Sequence, residues 1–257
     1  MPATVSVPIV EVSGLVKTFG GLVAIDGLSL EIRAGEILGV VGPNGAGKTA
    51  LVNVLTGFYR ADGGSIRLGG RDITRLSRHR IARLGVARTF QNIRLFRRMS
   101  VLENVMVADK RHAAAPIASV LRFAAARRDL ERAMAMLELM GLADHAERGA
   151  GELSYGDARR LEIARALAGA PRLLFLDEPA AGMNEEETEA LIEDVRRIRT
   201  MVEAIVLIEH DTDLIRELSD RLVAMDFGRK MAEGTTDEVF ADPTFIRAYL
   251  GLEPGDG

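Results

Sequence analysis

An eight-residue, glycine-rich segment constrains the fold of this chain more than any other feature of the sequence. Its residues, Gly42-Pro43-Asn44-Gly45-Ala46-Gly47-Lys48-Thr49, match the pattern G-x-x-x-x-G-K-[ST]. The preceding run Glu36–Val41 is short and apolar, which is typical of a strand buried on both faces. The following run Lys48–Thr56 has helical spacing and ends at Gly57. A strand, a glycine loop and a helix in this order predict a phosphate-binding loop in an α/β fold.

The residue types of this loop suit a nucleoside triphosphate. Glycines allow backbone N–H groups to wrap phosphate oxygens closely, and the helix that begins near Lys48 points its positive end at the same anion. We expect Lys48 to reach the β- and γ-phosphates and the Thr49 hydroxyl to bind Mg²⁺. Ala50 stands where a second hydroxyl could bond the α-phosphate, so we expect ATP binding to be weaker by about 1 kcal/mol. Residues 42–50 are thus the predicted ATP-binding segment.

Two adjacent acids follow a second apolar run. Leu173–Leu176 is apolar and leads directly into Asp177 and Glu178. At the carboxyl end of a strand, Asp177 can bind Mg²⁺ through water, while Glu178 faces the other way and can orient and polarise the water that attacks the γ-phosphate. Acids also end many strands simply because strands end at the surface. The catalytic interpretation therefore depends on the glycine loop in the same chain.

The rest of the sequence predicts an α/β fold with an inserted helical region. Runs typical of antiparallel strands lie near the N-terminus: Val5–Val12, Leu28–Ile32 and Ser65–Leu68. Runs typical of buried strands come later: Arg172–Leu176, Ala204–Ile208 and Arg221–Met225. Runs with helical spacing are Arg128–Met140, Gly156–Ala168 and Glu185–Thr200. Alternating strands and helices imply a parallel sheet, and the helical stretch between about Asn92 and Ala170 is the predicted insertion.

Composition limits the classes of partner. The 257 residues carry a formal charge of −4 and include no cysteine, which excludes disulfides and thiolate metal sites. The negative charge, and the absence of a basic patch that we expect from it, argue against a nucleic-acid partner. No secretory signal is visible, and the best candidate for a membrane span, Ala113–Ala126, contains Arg122 and is only about 14 residues long. We expect membrane contact to be made through a partner.

A motif between the glycine loop and the acid pair carries a resemblance to a known family. Leu153-Ser154-Tyr155-Gly156-Asp157, followed by a basic helix start, resembles the ABC signature, usually written LSGGQ. With the other two motifs it makes the chain resemble an ATP-binding-cassette (ABC) ATPase over residues 1–257. The resemblance implies that Ser154 and Gly156 close on the γ-phosphate of ATP held by a second subunit. A helix N-terminus with a serine cap suits an anion, although the motif alone would indicate only a capped helix.

The family resemblance also implies a fold. It is that of a P-loop NTPase (RecA-like), in which a parallel sheet core carries an N-terminal antiparallel β subdomain and an inserted α-helical subdomain, here residues 92–170. Three further residues match the family in order. Phe19 matches the aromatic residue that stacks on adenine, Gln91 the glutamine that contacts Mg²⁺ and the attacking water, and His210 the histidine that contacts the γ-phosphate. Each of them, taken alone, would more often be structural or solvated.

A narrower resemblance concerns the transported solute. The segments Arg88–Arg94, Glu178–Asn184 and Asp242–Gly251, with Tyr155, are similar to those of the ATP-binding subunits of bacterial importers for branched-chain and other hydrophobic amino acids. This implies integral-membrane permease subunits, a second ATPase subunit that is a different chain or a second copy, and indirectly a solute-binding protein. It places the chain peripherally on the cytoplasmic face of the inner membrane, with Arg88–Met99 as the predicted surface for the permease.

Three alternatives remain open at this point. The first is an importer for another small solute such as urea or amides. The second is an ABC protein that acts on DNA or ribosomes, against which stand the single cassette and the lack of a long coiled coil. The third is a regulatory module that binds nucleotide without hydrolysing it. The presence of Lys48, Asp177, Glu178 and His210 opposes this third alternative.

Overall fold

A computed structural model describes residues 8–108 and 119–250. In chain order its strands are Pro8–Phe19 (β1), Leu22–Arg33 (β2), Ile37–Val41 (β3), Gly63–Leu68 (β4), Arg71–Asp72 (β5), Val86–Arg88 (β6), Leu173–Asp177 (β7), Ala204–Ile208 (β8), Arg221–Asp226 (β9) and Arg229–Gly234 (β10). Its α-helices are Lys48–Leu55 (α1), Arg78–Arg83 (α2), Val101–Ala108 (α3), Ser119–Leu139 (α4), Tyr155–Ala168 (α5), Glu185–Ile198 (α6), Thr212–Leu218 (α7), Thr236–Phe240 (α8) and Pro243–Leu250 (α9).

The central sheet has six strands in the order β10-β9-β3-β8-β7-β6. Neighbouring strands from β9 to β6 are parallel, and β10 joins the edge antiparallel to β9. Every residue of β3, β7 and β8 is buried. This burial explains why these strands are continuous apolar runs in the sequence. The predicted parallel sheet is confirmed, although β6, β10 and the short β5 were not predicted.

Apolar side chains cover the central sheet on both faces. Consecutive strand residues alternate between two buried clusters: Ile37 and Leu174 belong to one, and Leu38 and Phe175 belong to the other. Since side chains of a strand alternate between faces, the sheet is the middle layer between these clusters. The first cluster packs helices α5, α6 and α7 on one face, and the second packs α1 and the antiparallel strands on the other.

A second, antiparallel sheet has the order β2-β1-β4-β5. This confirms the prediction of antiparallel strands near the N-terminus, but the predicted end of the first strand at Val12 is wrong, because β1 continues to Phe19. At Gly14 the backbone has φ 57° and the pairing with β2 shifts register between Val12 and Leu15. A glycine in this conformation allows a bulge, so the strand continues past an interruption in its apolar alternation. Residues 5–7 of the predicted strand lie outside the described residues.

Helices α3, α4 and α5 pack against one another. The predicted helix at Arg128–Met140 corresponds to α4, which begins earlier, at Ser119. Residues 113–118 of the apolar run lie outside the described residues. The helix predicted at Glu185–Thr200 is α6, and a capping box between Asn184 and Glu187 fixes its start. Within the described residues, no helix is long and apolar enough to cross a bilayer. The boundaries 92 and 170 of an inserted subdomain remain a prediction.

Candidate active site

Three strand ends converge at one edge of the central sheet. Strand β3 leads into the glycine loop, β7 ends at Asp177, and β8 leads through Glu209 to His210. In the sheet, β8 lies between β3 and β7, so all three carboxyl ends are adjacent. Ligands of open α/β sheets bind at this edge. The fold thus brings together residues as far apart in the sequence as Gly42 and His210.

The glycine loop needs glycine where the backbone is crowded. Gly47 has φ 99°, and a Cβ placed there would lie 2.3 Å from the carbonyl oxygen of Ala24. At Gly42, with φ 151°, a Cβ would lie 2.1 Å from the carbonyl oxygen of Met225. No side chain fits at these distances, so the loop is held close to β2 and β9 with its N–H groups free of side-chain cover.

Lys48 lies inside this loop. Its side chain is buried, and Nζ donates hydrogen bonds to the carbonyl oxygens of Gly42 at 2.6 Å and Pro43 at 3.0 Å. Burial lowers the pKa of the ammonium group, and the charges of Glu178 and Asp177 act in the opposite direction. The next residue, Thr49, is exposed, which leaves its hydroxyl accessible at the start of α1. Ala50 is half-buried and packs against the apolar cluster.

Glu178 is the centre of the site. His210 Nε2 lies 2.8 Å from Glu178 Oε1, and Gln91 Nε2 donates to Glu178 Oε2 at 2.7 Å. The residue has a positive φ of 49°, and its N–H donates to the carbonyl of Ile208 on the neighbouring strand. This left-handed turn directly after β7 is strained for a non-glycine residue and re-aims the side chain relative to Asp177. The two carboxylate oxygens of Glu178 are therefore paired with Gln91 and His210, two residues that were predicted for the same ATP site.

Asp177 has a partner that was not predicted. Arg88 Nη2 donates to Asp177 Oδ2 at 2.7 Å, and both side chains are almost fully buried. Arg88 Nη1 also donates to Asn53 Oδ1 at 2.5 Å, which ties the pair to α1. The negative charge of Asp177 is thus balanced by a buried guanidinium within the protein. Because Arg88 precedes Asp177 by 89 positions, no local pattern in the sequence indicates this pair.

A buried arginine fixes the backbone on either side of Gln91. Arg159, fully buried in α5, donates to the carbonyl oxygens of Phe90 at 2.6 Å and Gln91 at 2.8 Å, and it is ion-paired with Glu162 at 2.8 Å. Burial raises the pKa of Glu162, although Arg159 opposes this shift. Arg159 belongs to the basic helix start that follows the signature motif, and its burial was not predicted. The segment that carries Gln91 is consequently anchored to α5.

The comparisons with known proteins agree with this geometry. The family model described as ABC transporter matches residues 25–181. The high-affinity branched-chain amino acid transport ATP-binding protein LivG of Salmonella typhimurium is 47% identical over 96% of this chain and 99% of its own length. The corresponding protein BraF of Pseudomonas aeruginosa is 46% identical over 95% and 98%. This chain belongs to the ABC transporter family.

Solved ABC structures share the fold over the whole chain. A crystal structure of an ATP-binding cassette of an ABC transporter in its ADP conformation has a TM-score of 0.83 and 30% identity, and covers 96% of this chain and 100% of that one. A nucleotide-free cassette gives 0.82 at 30% identity, with coverages of 95% and 99%. The predicted P-loop NTPase fold is therefore confirmed, and the chain is an ABC ATPase that binds adenine nucleotide and hydrolyses ATP.

The ABC signature lies at the start of α5. Ser154 is its N-cap: Oγ accepts from the N–H of Asp157 at 3.1 Å and donates to its carboxylate at 2.9 Å. A Cβ on Gly156 would lie 2.8 Å from Glu187 Oε1, so the helix packs closely against the start of α6. Within the described residues, no hydrogen bond or ion pair connects Ser154 or Gly156 to the glycine loop of the same chain. The structure does not bring these two parts of the predicted ATP site together within one chain.

Phe19 lies at the end of the β1–β2 hairpin. Strand β2 passes the glycine loop at Ala24, and the ring of Phe19 is 39% exposed. It contacts the ring of Tyr59 edge to face, at 5.0 Å between centroids, and Lys17 Nζ lies 5.0 Å from the same ring. An exposed ring near the loop is available to a flat ligand. Tyr59, which follows α1 closely, was not predicted to take part.

Proposed function

We propose that this ABC ATPase powers an importer of branched-chain amino acids. The observation that carries the proposal is the similarity over nearly the full chain to the branched-chain amino acid transport ATP-binding proteins LivG and BraF. In this proposal the chain works with integral-membrane permease subunits and indirectly with a solute-binding protein. It lies peripherally on the cytoplasmic face of the inner membrane.

The residues of the glycine loop bind the substrate ATP. Residues 42–47 offer backbone N–H groups to the phosphate oxygens, and Lys48 exchanges its carbonyl partners for the β- and γ-phosphates. The exposed ring of Phe19 stacks on adenine, with Tyr59 supporting its edge. Ala50 fills its position without offering a hydroxyl to the α-phosphate. The loop thus holds the triphosphate across the carboxyl ends of the parallel strands.

Glu178 orients the water that attacks the γ-phosphate. In the structure Gln91 and His210 occupy its two carboxylate oxygens. With ATP bound, the phosphate oxygens give His210 an alternative partner, which frees one oxygen of Glu178 to accept a hydrogen bond from water. Gln91 stays beside the same carboxylate because Arg159 fixes its backbone. The water is therefore positioned by a carboxylate that Gln91 continues to hold through its other oxygen.

The residues present also fit Mg²⁺. Thr49 is exposed and offers a hydroxyl, Asp177 offers a carboxylate at the same edge, and Gln91 offers an amide oxygen. Mg²⁺ binds such hard oxygen donors together with substrate phosphates. When bound, Mg²⁺ neutralises charge that develops on the phosphates. Arg88 holds the carboxylate of Asp177 in place through their buried ion pair. Thr49, Asp177 and Gln91 are the proposed metal-binding residues.

A second ATPase subunit completes the site. The signature residues Ser154 and Gly156 lie at a helix N-terminus and, among the residues that the structure describes, make no hydrogen bond or ion pair with the glycine loop of their own chain. In a head-to-tail pair, each chain gives residues 42–49 to one site and its signature to the other, so ATP is held between two chains. The second subunit is a different ATPase chain or a second copy of this one. ATP binding closes this pair, and hydrolysis opens it.

A groove beside Phe90 suits the permease. It is lined by aromatic and basic residues that include Phe58, Phe90 and Phe96, and Phe96 is 46% exposed. The predicted docking segment Arg88–Met99 borders this groove, and Arg88 lines it although its charge is paired with the buried Asp177. A permease segment in the groove contacts residues on both sides of Gln91. The helical subdomain proposed at 92–170 carries this contact toward the catalytic edge.

Transport in the presence of the partner subunits tests this function. Membrane vesicles that contain the permease, both ATPase subunits and the solute-binding protein are expected to take up leucine, isoleucine and valine only with ATP. Uptake is expected to stop with Glu178→Gln. Uptake of urea or an amide in place of the amino acids would mean that this solute is the one transported. ATP hydrolysis without any stimulated uptake would instead favour a role outside transport.

A further inference from the structure

The segment from residue 63 to residue 100 has a charge opposite to that of the whole chain. It contains ten arginines, one aspartate, and no lysine or glutamate. Its formal charge is +9, so the remaining residues carry −13 within a chain of −4. The expectation that the chain lacks a basic patch is therefore wrong. That expectation came from the net charge, which averages two regions of opposite sign.

Most of these arginines have no acidic partner. Six exposed members, which we call the arginine surface, lie on β4, β5, α2 and the turns between them: Arg67, Arg71, Arg75, Arg78, Arg80 and Arg83. Among the described residues, none of the six is ion-paired. Several exposed arginines elsewhere are ion-paired, as in the pairs Arg196–Glu193 and Arg229–Asp26. The arginine surface keeps its charge available to an external anion.

The arginine surface is continuous through its turn. Arg67 on β4 is paired in register with Asp72 on β5. The pKa of Asp72 is lowered first by hydrogen bonds from Thr74 and then by the charges of Arg67 and Arg75. Only two residues, Leu76 and Ser77, separate Arg75 from the first residue of α2. Asp72 is thus a single acid in a part of the chain that also carries Arg67, Arg71 and Arg75.

One end of this surface reaches the groove proposed for the permease. Arg78 lies 5.5 Å over the ring of Phe58 and lines the groove together with His79. Phe58 contacts Phe90 across the groove, with ring centroids 5.6 Å apart. The other arginines of the surface lie outside the groove lining. A permease segment in the groove therefore leaves Arg71, Arg75 and Arg80 uncovered.

We propose that the arginine surface binds the anionic phospholipid headgroups of the membrane next to the permease. The inference rests on the proposed function, which sets the groove toward the membrane. An extended, exposed set of guanidinium groups suits a diffuse layer of phosphates better than one buried anion, since it forms no enclosed site. Guanidinium groups also pair well with phosphate oxygens. The ATPase is then attached to the membrane by its own side chains as well as by its permease.

Vesicle binding by the purified full-length chain tests this contact. We expect co-sedimentation with vesicles of phosphatidylcholine and phosphatidylglycerol in equal amounts, and none with phosphatidylcholine alone. Because the Debye length falls from about 10 Å at 0.1 M salt to about 3 Å at 1 M, the binding is expected to disappear at the higher salt. Equal binding to both vesicles, or binding that survives high salt, would contradict an electrostatic contact with lipid.

Two matched triple variants locate the contact. Each basic residue near a membrane surface strengthens binding about fivefold, so the first triple variant should bind anionic vesicles at least about tenfold more weakly: Arg71→Gln, Arg75→Gln and Arg80→Gln. The second removes the same charge from exposed positions outside residues 63–100 and should bind like the wild type: Arg33→Gln, Arg229→Gln and Arg247→Gln. An equal loss in both variants would overturn the proposal.

Two further measurements separate this inference from others. Fluorescence anisotropy with a duplex DNA tests the other common polyanion, and DNA binding as tight as vesicle binding at the same salt would overturn lipid as the partner. The assembled transporter in nanodiscs tests the proposed function itself. Intact ATP-driven transport together with no vesicle binding would reject only the lipid contact. Vesicle binding without any assembly with the permease would reject the proposed function.

Discussion

The charged groups around Glu178 and those of the arginine surface are arranged in opposite ways. At the catalytic edge, each charge has a partner inside the chain: Asp177 has Arg88, and Glu178 has Gln91 and His210. On the arginine surface the guanidinium groups are exposed and unpaired among the described residues. A buried charge must be satisfied within the fold because its desolvation is costly, whereas an exposed charge remains hydrated until a partner arrives.

This difference indicates what each region requires. The catalytic edge needs fixed geometry before ATP binds, and its internal partners supply that geometry. The arginine surface needs only long-range attraction, which exposed charges provide without fixed contacts. Substitutions at the edge should therefore change rates and stability strongly, and substitutions on the surface should change binding to a membrane while leaving the fold intact.

The largest effect is expected at Glu178. Glu178→Gln keeps an oxygen and the size of the side chain but removes the carboxylate that polarises water, so kcat for ATP should fall by about 100-fold to 10,000-fold. ATP binding should persist, since residues 42–49 are unchanged. Steady-state phosphate release and equilibrium binding of ATP measure the two effects. Glu189→Gln, an exposed glutamate on α6, is the matched control, and hydrolysis by Glu178→Gln at the control rate would disprove the assignment.

Arg88 should give the next largest effect. Arg88→Met leaves Asp177 buried without its cation, and breaking a buried pair in this way costs about 3 kcal/mol of unfolding free energy. The loss is measured by chemical denaturation without nucleotide. Adding Mg²⁺ and ATP should restore part of it if Asp177 binds the ion. If Arg88→Met has the same unfolding free energy as the wild type, the catalytic edge does not depend on its internal ion pair. The contrast with the arginine surface would then be wrong.

A double substitution separates charge balance from packing. In Arg88→Met with Asp177→Asn, the aspartate no longer carries an unbalanced charge, so the double variant should be more stable than Arg88→Met alone. If both variants are equally unstable, the effect comes from the contact of Arg88 with the rings of Phe58 and Phe90. The arginine surface offers no such coupled pair among the described residues.

The parts of this molecule that the sequence predicts are those with local patterns. The parallel strands could be predicted because β3, β7 and β8 are buried on both faces and hence continuously apolar. The family motifs predicted that Gln91 and His210 belong to the same site as Glu178. The spacing of these residues along the chain does not indicate that they lie close together in the fold. Arg159 could not be assigned, because an arginine beside a helix start is usually exposed, and only the packing of α5 buries it.

Charge was the property predicted least well. The pair between Arg88 and Asp177 joins two distant strands that become neighbours only in the sheet, so Arg88 was assigned to the docking surface instead. The arginine surface was missed for another reason: the net charge of the chain conceals it. A charge count in windows along the sequence would have found the segment from 63 to 100. That the six residues of the arginine surface make no ion pair with any described residue is visible only in the structure.

A smaller effect is expected at Ala50. Ala50→Thr adds a hydroxyl at the third residue of α1, within reach of the α-phosphate in the proposed binding mode, and one added hydrogen bond should tighten ATP binding by about 1 kcal/mol, or roughly fivefold. Ala50→Val is the control, because valine has the same shape without the hydroxyl. ATP titration of all three proteins measures the effect. Equal affinities for the threonine and valine variants would show that this hydroxyl gains no contact.

The smallest effect on the fold is expected on the arginine surface. Exposed side chains without fixed partners contribute little to folding, so Arg80→Gln should change the unfolding free energy by less than about 0.5 kcal/mol. Arg88→Met, eight residues further on, should differ from it several-fold in the same denaturation experiment. Low salt sharpens the comparison: removing one of several like charges relieves repulsion, so Arg80→Gln should be no less stable than wild type there. A large loss of stability in Arg80→Gln would mean that this arginine serves the fold, and its charge would no longer be free for the membrane.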